Sequence, residues 1–412
     1  MKRYVVFIRS RIVNPRILNM FLCLVIASVS TADDIDLQIE LQLAKSGDNR
    51  AEIATALADV PDEQRESMRF LVAWMTGEDL KQLTSERLLE NVALATETRS
   101  LAPWQQQIPD DVFNNFVLPH ACFDEPRDPW RADFYHRFWP WVKDCRTTSE
   151  AAQVLNQKVF AELKVKYSTG RRRANQSPAE SIEQGLASCS GLAVILVDAC
   201  RSVGVPARIA GIPKWANKEG NHTWVEVWDH GWHFAGAAEY DAQGLDHAWF
   251  TNDAALADPE SKLSSIYAVR YEPTGIHFPL PWNPGDDSIH AVNVTERYVN
   301  KRVDLPQGSA RVLFSAKDKS GKRVALRVQL SPAADATDPL SDDEKTPGKT
   351  RDETRDTNDF LEAVLKKNQT YQIAATDEEG KTNAWEFKTT EEDQQLISWE
   401  WKPPEGATRD NQ

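Results

Sequence analysis

The chain is predicted to be α+β, with helices first, a mixed core in the middle and strands last. Three observations carry this. Apolar residues recur at steps of three and four through much of the first 165 positions. The order helix, strand, strand, hairpin, strand follows between Ser177 and Phe234. Short alternating segments separated by turn residues then fill the region after Ala310. The three regions are placed at 33–116, 117–290 and 300–412.

The first 32 residues read as an export signal. Lys2, Arg3, Arg9, Arg11 and Arg16 form a basic stretch, and Ile17 to Val29 is an apolar run too short for a comfortable span. Ser30-Thr31-Ala32 then offers a small-residue cleavage site. Removing this segment takes away those five cations and no acids, so the formal charge moves from −14 to −19. So acidic a product argues against nucleic acid or anionic lipid as partner. It suits an exported protein with no stable membrane insertion. Cleavage leaves Cys122, Cys145, Cys189 and Cys200. In an oxidising compartment Cys122 and Cys145 are the only plausible disulfide pair.

Helices follow. Pro61-Asp62-Glu63 opens one ahead of Met68, Leu71, Val72 and Met75, and Leu80, Leu83, Leu88, Leu89 and Val92 mark the next. Phe134, Phe138, Trp141 and Val142, then Ala152, Leu155, Val159, Phe160 and Leu163, continue the pattern. This block is expected to wall one side of a cleft. Arg171-Arg172-Arg173 reads as a solvated loop. Ser177-Pro178-Ala179-Glu180 has the N-cap, first-turn proline and returning acid of a capped helix.

Cys189 opens the next helical pattern, in which Leu192, Ala193, Ile195, Leu196, Ala199, Cys200 and Val203 form one apolar stripe. Gly204 and Pro206 stop it near Val203. A thiol at a helix start gains from unpaired N–H groups and the positive dipole end, both of which favour thiolate. Cys200, mid-helix on the stripe, reads as core. Ala207 to Ile212 and His222 to Trp228 read as strands, Asp229-His230-Gly231 as a tight turn, and Trp232-His233-Phe234 as the return strand. An imidazole at His222 brought beside Cys189 could take the thiol proton and later protonate a leaving group. Glu226 is expected to pair with Arg208 across the two strands. His230 and His233 are expected at the surface, and Trp224, Trp228 and Trp232 in core or cleft wall.

The Cys-headed helix, the Val-Pro-Ala-Arg strand and Asn-His-Thr-Trp-Val-Glu-Val-Trp-Asp-His-Gly-Trp-His-Phe together resemble the transglutaminase-like superfamily. The resemblance covers roughly Ser177 to Phe250. It implies a papain-like core with Cys189 as nucleophile, His222 as general base and a carboxylate to orient the imidazole. Two positions depart from the pattern. Ala187 stands where the family usually has glycine. Gly236 stands four residues after Trp232, where the family has its aspartate. Glu239 is the first candidate for that role, reaching back after a bulge at Gly236-Ala237-Ala238, with Tyr240 over the site; Asp241 is the second.

No Cys-x-x-Cys, His-Glu-x-x-His, phosphate loop or dinucleotide fingerprint occurs, so neither metal nor cofactor is expected. The expected function is an exported thiol enzyme acting on amide or peptide bonds of a protein or peptide substrate through a Cys189 thioester. Hydrolysis is favoured over acyl transfer by analogy with the family. The alternative is a non-catalytic peptide- or glycan-binding surface protein that keeps the fold.

The last region alternates at Ala310 to Phe314, Val324 to Leu330, Tyr371 to Ala375, Ala384 to Phe387 and Leu396 to Trp401, as a small β-sandwich would. Ser331 to Asp359 is rich in Pro, Asp, Thr and Glu with almost no large apolar residues. It is expected to be a disordered acidic insertion, and the sandwich to carry no chemistry.

Overall fold

The computed structural model describes residues 31–333 and 345–403. The expected export signal lies almost wholly outside them. No helix among the described residues is long and apolar enough to cross a membrane.

The chain forms two compact units, one ending at Leu89 and the other running from Glu90. The division therefore falls earlier than the boundary at 116 read from the sequence. The first unit contains α1 (Thr31–Lys45), α2 (Arg50–Asp59), α3 (Arg65–Ala73), α4 (Asp79–Gln82) and the start of α5 (Ser85–Leu101). Ile53, Ala56, Met68, Leu71, Val72, Ala73 and Leu80 are fully buried in it. Gln42 ties it together, with Nε2 donating to the carbonyls of Ala73 and Met75, each at 3.0 Å.

In the second unit α6 (Asp110–Phe116), α7 (Trp130–Val142) and α8 (Thr148–Leu163) lead into the two-residue strand β1 (Lys166–Tyr167). A capping box on Ser177 and Glu180 then opens α9 (Pro178–Gln184), as the sequence predicts. The strand β2 (Leu186–Ala187) pairs in parallel with β1, setting Tyr167 opposite Ala187. The helix α10 (Cys189–Ser202) follows directly. Apart from Cys189 itself every residue of α10 is buried, and Gly204 takes a φ of +79° just beyond it. The stop expected near Val203 is confirmed.

A five-stranded antiparallel sheet lies against α10, in the order β5-β4-β3-β6-β7. Its strands are β3 (Ala207–Ile212), β4 (His222–Trp228), β5 (Trp232–Ala235), β6 (Tyr267–Val269) and β7 (Ala291–Asn293). The short helices α11 (Thr251–Ala254) and α12 (Thr295–Val299) sit in the connections. β6 and β7 are too short to be legible as strands from alternation. The register pairs Arg208 with Glu226, and the expected ion pair forms: Arg208 Nε donates to Glu226 Oε2 at 2.8 Å with both side chains buried. Tyr298 donates to the other carboxylate oxygen at 2.8 Å, Trp224 Nε1 donates to the Tyr298 hydroxyl at 2.7 Å, and Arg297 completes the pair. Burial alone would raise the Glu226 pKa; Arg208 and Arg297 outweigh it and hold the carboxyl below its usual range.

The C-terminal strands make two sheets. β10 (Gly348–Lys349), β9 (Arg327–Pro332), β12 (Thr370–Thr376) and β13 (Thr382–Lys388) form one. β11 (Leu361–Lys366), β8 (Ser309–Lys317) and β14 (Gln394–Glu400) form the other. Val312, Phe314, Leu361 and Leu365 of one sheet share an apolar cluster with Val328, Leu330, Tyr371 and Ile373 of the other.

Two expectations need correction. Within the insertion expected to be disordered over 331–359, of which 334–344 lie outside the described residues, 345–359 are ordered: Gly348 and Lys349 pair with β9, and Asp356 and Asp359 are buried, at 3% and 0% exposure. Their order comes from ion pairs rather than apolar contact, because Arg351 and Arg355 both clamp Asp359, at 2.9 and 3.0 Å. Cys122 and Cys145 do not pair either. Both are free thiols, and Cys122 donates to Asp198 Oδ1 at 3.4 Å inside the core.

Because Glu226 is enclosed with Arg208, Glu226→Ala leaves a buried cation uncompensated and should cost about 3–5 kcal/mol in urea unfolding. Asp133→Ala, which breaks an exposed pair with Arg137, should cost at most about 1 kcal/mol. Equal effects would show that the buried network is not what holds β3 to β4.

Candidate active site

Ser188 caps α10: its Oγ accepts from the backbone N–H of Gly191 at 3.1 Å and donates to the Ala174 carbonyl at 2.6 Å. Cys189 is therefore the first residue inside the helix, on its half-exposed end, where backbone N–H groups have no intrahelical acceptor. Ser190 donates to the Thr223 hydroxyl at 3.1 Å, pinning this end of the helix to β4 beside His222.

His222, at the head of β4, is 3% exposed and enclosed by rings. The ring centroids of Trp249 and Phe250 lie 4.8 and 5.0 Å from its own, and those of Trp224 and Trp215 lie 5.9 and 6.2 Å away. Cys189 Sγ, a ring nitrogen of His222 and a carboxylate oxygen of Asp356 all lie within 4.8 Å of one another. The structure thus brings together the two residues read from the sequence and adds a third from the C-terminal region. Asp356 Oδ2 is 3.4 Å from His222 Nδ1. Burial disfavours charge on the imidazole, but Asp356 and Cys189 beside it prevail and push its pKa up to about 10. Asp356 is likewise burdened by burial, yet His222 and the Asn358 amides hold it below the usual carboxylate range. The contact is therefore charged through neutral pH. It is lost as pH falls through the depressed Asp356 pKa, or as pH rises through about 10.

Asp356 does not stand where an orienting carboxylate stands. In a relay the acid holds the imidazole nitrogen opposite the nucleophile, so the ring and two hydrogen bonds separate sulfur from carboxylate by roughly 7 Å or more. Here the sulfur and the carboxylate oxygen are within 4.8 Å, on one side of the ring.

Glu239 differs from its expected geometry. It makes no hydrogen bond to His222; its Oε1 accepts from Trp249 Nε1 at 3.0 Å. Its Oε2 is buried without a partner, as is His222 Nε2. In place of the expected bulge the chain makes a turn beyond the end of β5: Ala238 adopts a left-handed φ of +63°, and Asn156 secures the turn by donating to the Gly236 carbonyl and accepting from the Ala238 N–H. A Cβ added to Gly236 would meet Glu239 Oε2 at 2.0 Å. The Glu239 carboxylate thus fills the space a side chain at 236 would take. Burial raises its pKa to about 7 against the opposing pull of His222 and Arg355. Asp241 instead accepts from the Gln243 N–H in a surface turn, and Tyr240 is exposed rather than folded over the site.

Of the other candidates, Cys200 is core, His230 is exposed, and His233 Nδ1 lies 2.9 Å from Asp246 Oδ2. Arg172 and Arg173 pair with Glu183 and Glu180 of α9. Trp224 is in the core, while Trp232 lies under the Arg208 guanidinium at 3.8 Å. Cys189, His222 and Asp356 offer sulfur, nitrogen and oxygen donors of the types zinc accepts. Sequence reasoning missed Asp356 and Tyr167, whose hydroxyl accepts from the Thr357 N–H at 3.3 Å. Neither sits in a motif.

Residues 140–237 match the family model described as the transglutaminase-like superfamily. A search of the curated proteins finds no match. Among solved structures, a candidate cysteine protease from Cytophaga hutchinsonii is 15% identical. That alignment covers 46% of this chain and 64% of the other, with a TM-score of 0.27. A candidate protease from Parabacteroides distasonis is 8% identical, covering 72% of this chain and 53% of the other, with a TM-score of 0.24. The chain therefore spans less than two thirds of either. Cys189 and His222 fall inside the matched stretch; Glu239 and Asp356 fall outside it. The chain carries a transglutaminase-like domain.

Proposed function

We propose that the protein is an exported thiol hydrolase that cleaves amide or peptide bonds, with Cys189 as nucleophile, His222 as general base and acid, and Glu239 as the group that orients the imidazole. The observation that carries this is Cys189 at the first position of a capped helix, beside an imidazole enclosed by aromatic rings, within the transglutaminase-like stretch. The thiolate attacks the carbonyl carbon, and the resulting oxyanion is held in part by the Cys189 backbone N–H. As the C–N bond breaks, His222 gives its proton to the departing amine. Water, deprotonated by His222, then releases the acid from the thioester. An amine in place of that water would give transfer instead.

Glu239 is chosen over Asp356 on position: its carboxylate fills the space beside Gly236, near His222, with one oxygen unpaired.

Cys189→Ala should abolish the thiol reactivity of the site towards a small electrophile, leaving only that of the remaining cysteines, and abolish hydrolysis of a peptide substrate, while melting like the parent, because the residue heads a helix rather than filling the core. A loss of about 2 kcal/mol or more would mark it as a packing residue and count against the reading.

Glu239→Gln should lower kcat by about tenfold or more and remove a rise in activity through pH 7, where the carboxylate ionises. Stability gives an independent check. A carboxyl raised from 4.5 to about 7 keeps a proton in the folded state that the unfolded chain releases. The parent should therefore lose stability as pH rises across that interval, and Glu239→Gln should not. Parallel melting curves would refute the buried carboxyl.

Intact mass of protein secreted by its native host should lack residues 1–32. A mass that includes Lys2 through Ala32 would overturn export by cleavage.

A further inference from the structure

We propose that residues 351–359 form an intramolecular stopper that lays the Asp356 carboxylate in the position of a substrate's leaving group, so that this strap must lift before Cys189 can react. The inference rests on the Cys189–His222 reading and adds a regulatory element to it.

The position is the first argument. An oxygen within 4.8 Å of the thiol sulfur and 3.4 Å from the imidazole nitrogen occupies the volume where a scissile amide would have to sit, between nucleophile and proton donor. Asp356 cannot remain there while a substrate binds.

The second argument is that the strap is built to hold that position. Asn358 donates from its N–H and Nδ2 to Asp356 Oδ1, at 2.8 and 3.0 Å, leaving Oδ2 to face the imidazole. Its Nδ2 also lies 3.1 Å from the carbonyl of Asn221, the residue before His222, and Lys218 Nζ donates to the Asn358 carbonyl at 2.9 Å. Gly220 permits the approach, since a Cβ there would meet Asn358 Oδ1 at 2.3 Å. On the far side the Thr357 N–H donates to the Tyr167 hydroxyl.

Charge rather than apolar packing holds the strap together. Asp359 takes Arg351 and Arg355, while the Arg323 guanidinium donates to the carbonyls of Asp359 and Asp352, at 3.1 and 2.8 Å. Of residues 351–359 only Asp356 and Asp359 are buried. Lifting the strap off the site therefore breaks a few polar contacts and exposes little apolar surface, which suits a displaceable element.

The test is the rate of Cys189 alkylation by iodoacetamide, located by peptide mass and measured with a chelator present, in the full chain. Asn358→Ala keeps the carboxylate but loosens its seat, and Asp356→Ala removes it; melting curves check that both fold. The expected result is labelling at least tenfold faster in both. Unchanged or slower labelling in the two folded variants overturns the stopper. So does parent protein protected only when zinc is added back, because the three donors would then be a metal site. His222→Ala in the Asp356→Ala background separates the two readings. If it leaves the accelerated labelling untouched, the strap stands and the Cys189–His222 pair fails.

Discussion

The candidate site depends on how the first turn of α10 meets the first residue of β4. The helix is buried on all sides except at Cys189, and the strand begins at His222, so both reactive groups sit at the edge of packed elements. The Ser190–Thr223 hydrogen bond joins the two edges directly. Neither group can drift without unpacking the core behind it. The Arg208–Glu226 pair deeper in the sheet fixes the β3–β4 register, and a one-residue slip would turn His222 away from the thiol.

Charge organises what apolar packing leaves open. Asp253, fully buried, binds Lys218 and Asn217 from the loop before β4 and Arg311 from β8, so the C-terminal sheets dock on the loop that leads to His222. The same loop receives Asn358. A region that carries no catalytic motif thereby reaches the site. The two carboxylates near His222 differ in consequence: Asp356 is ionised by the imidazolium it faces, while Glu239, enclosed by Trp249 and the Gly236 turn, is pushed towards neutrality.

Local patterning determined much of this protein. The capped helix at Ser177, the stripe and stop of α10, the β3–β4–β5 order, Cys200 as core and the Arg208–Glu226 pair all follow from spacings within a few turns or one hairpin. The small residues Gly236, Ala237 and Ala238 are legible as a place where the chain leaves the strand, though as a bulge rather than the turn it forms. Only the tertiary structure decided which carboxylate touches His222, that Cys122 faces Asp198 rather than Cys145, and that 345–359 is ordered. Composition marks that segment as unable to bury apolar surface, which is true. Its order comes from Arg351 and Arg355 closing on Asp359, from Arg323 donating to the carbonyls of Asp352 and Asp359, and from Asn358 reaching a loop more than a hundred residues earlier. Polar contacts of this kind have no period in sequence, so they become visible only once the chain has folded around them.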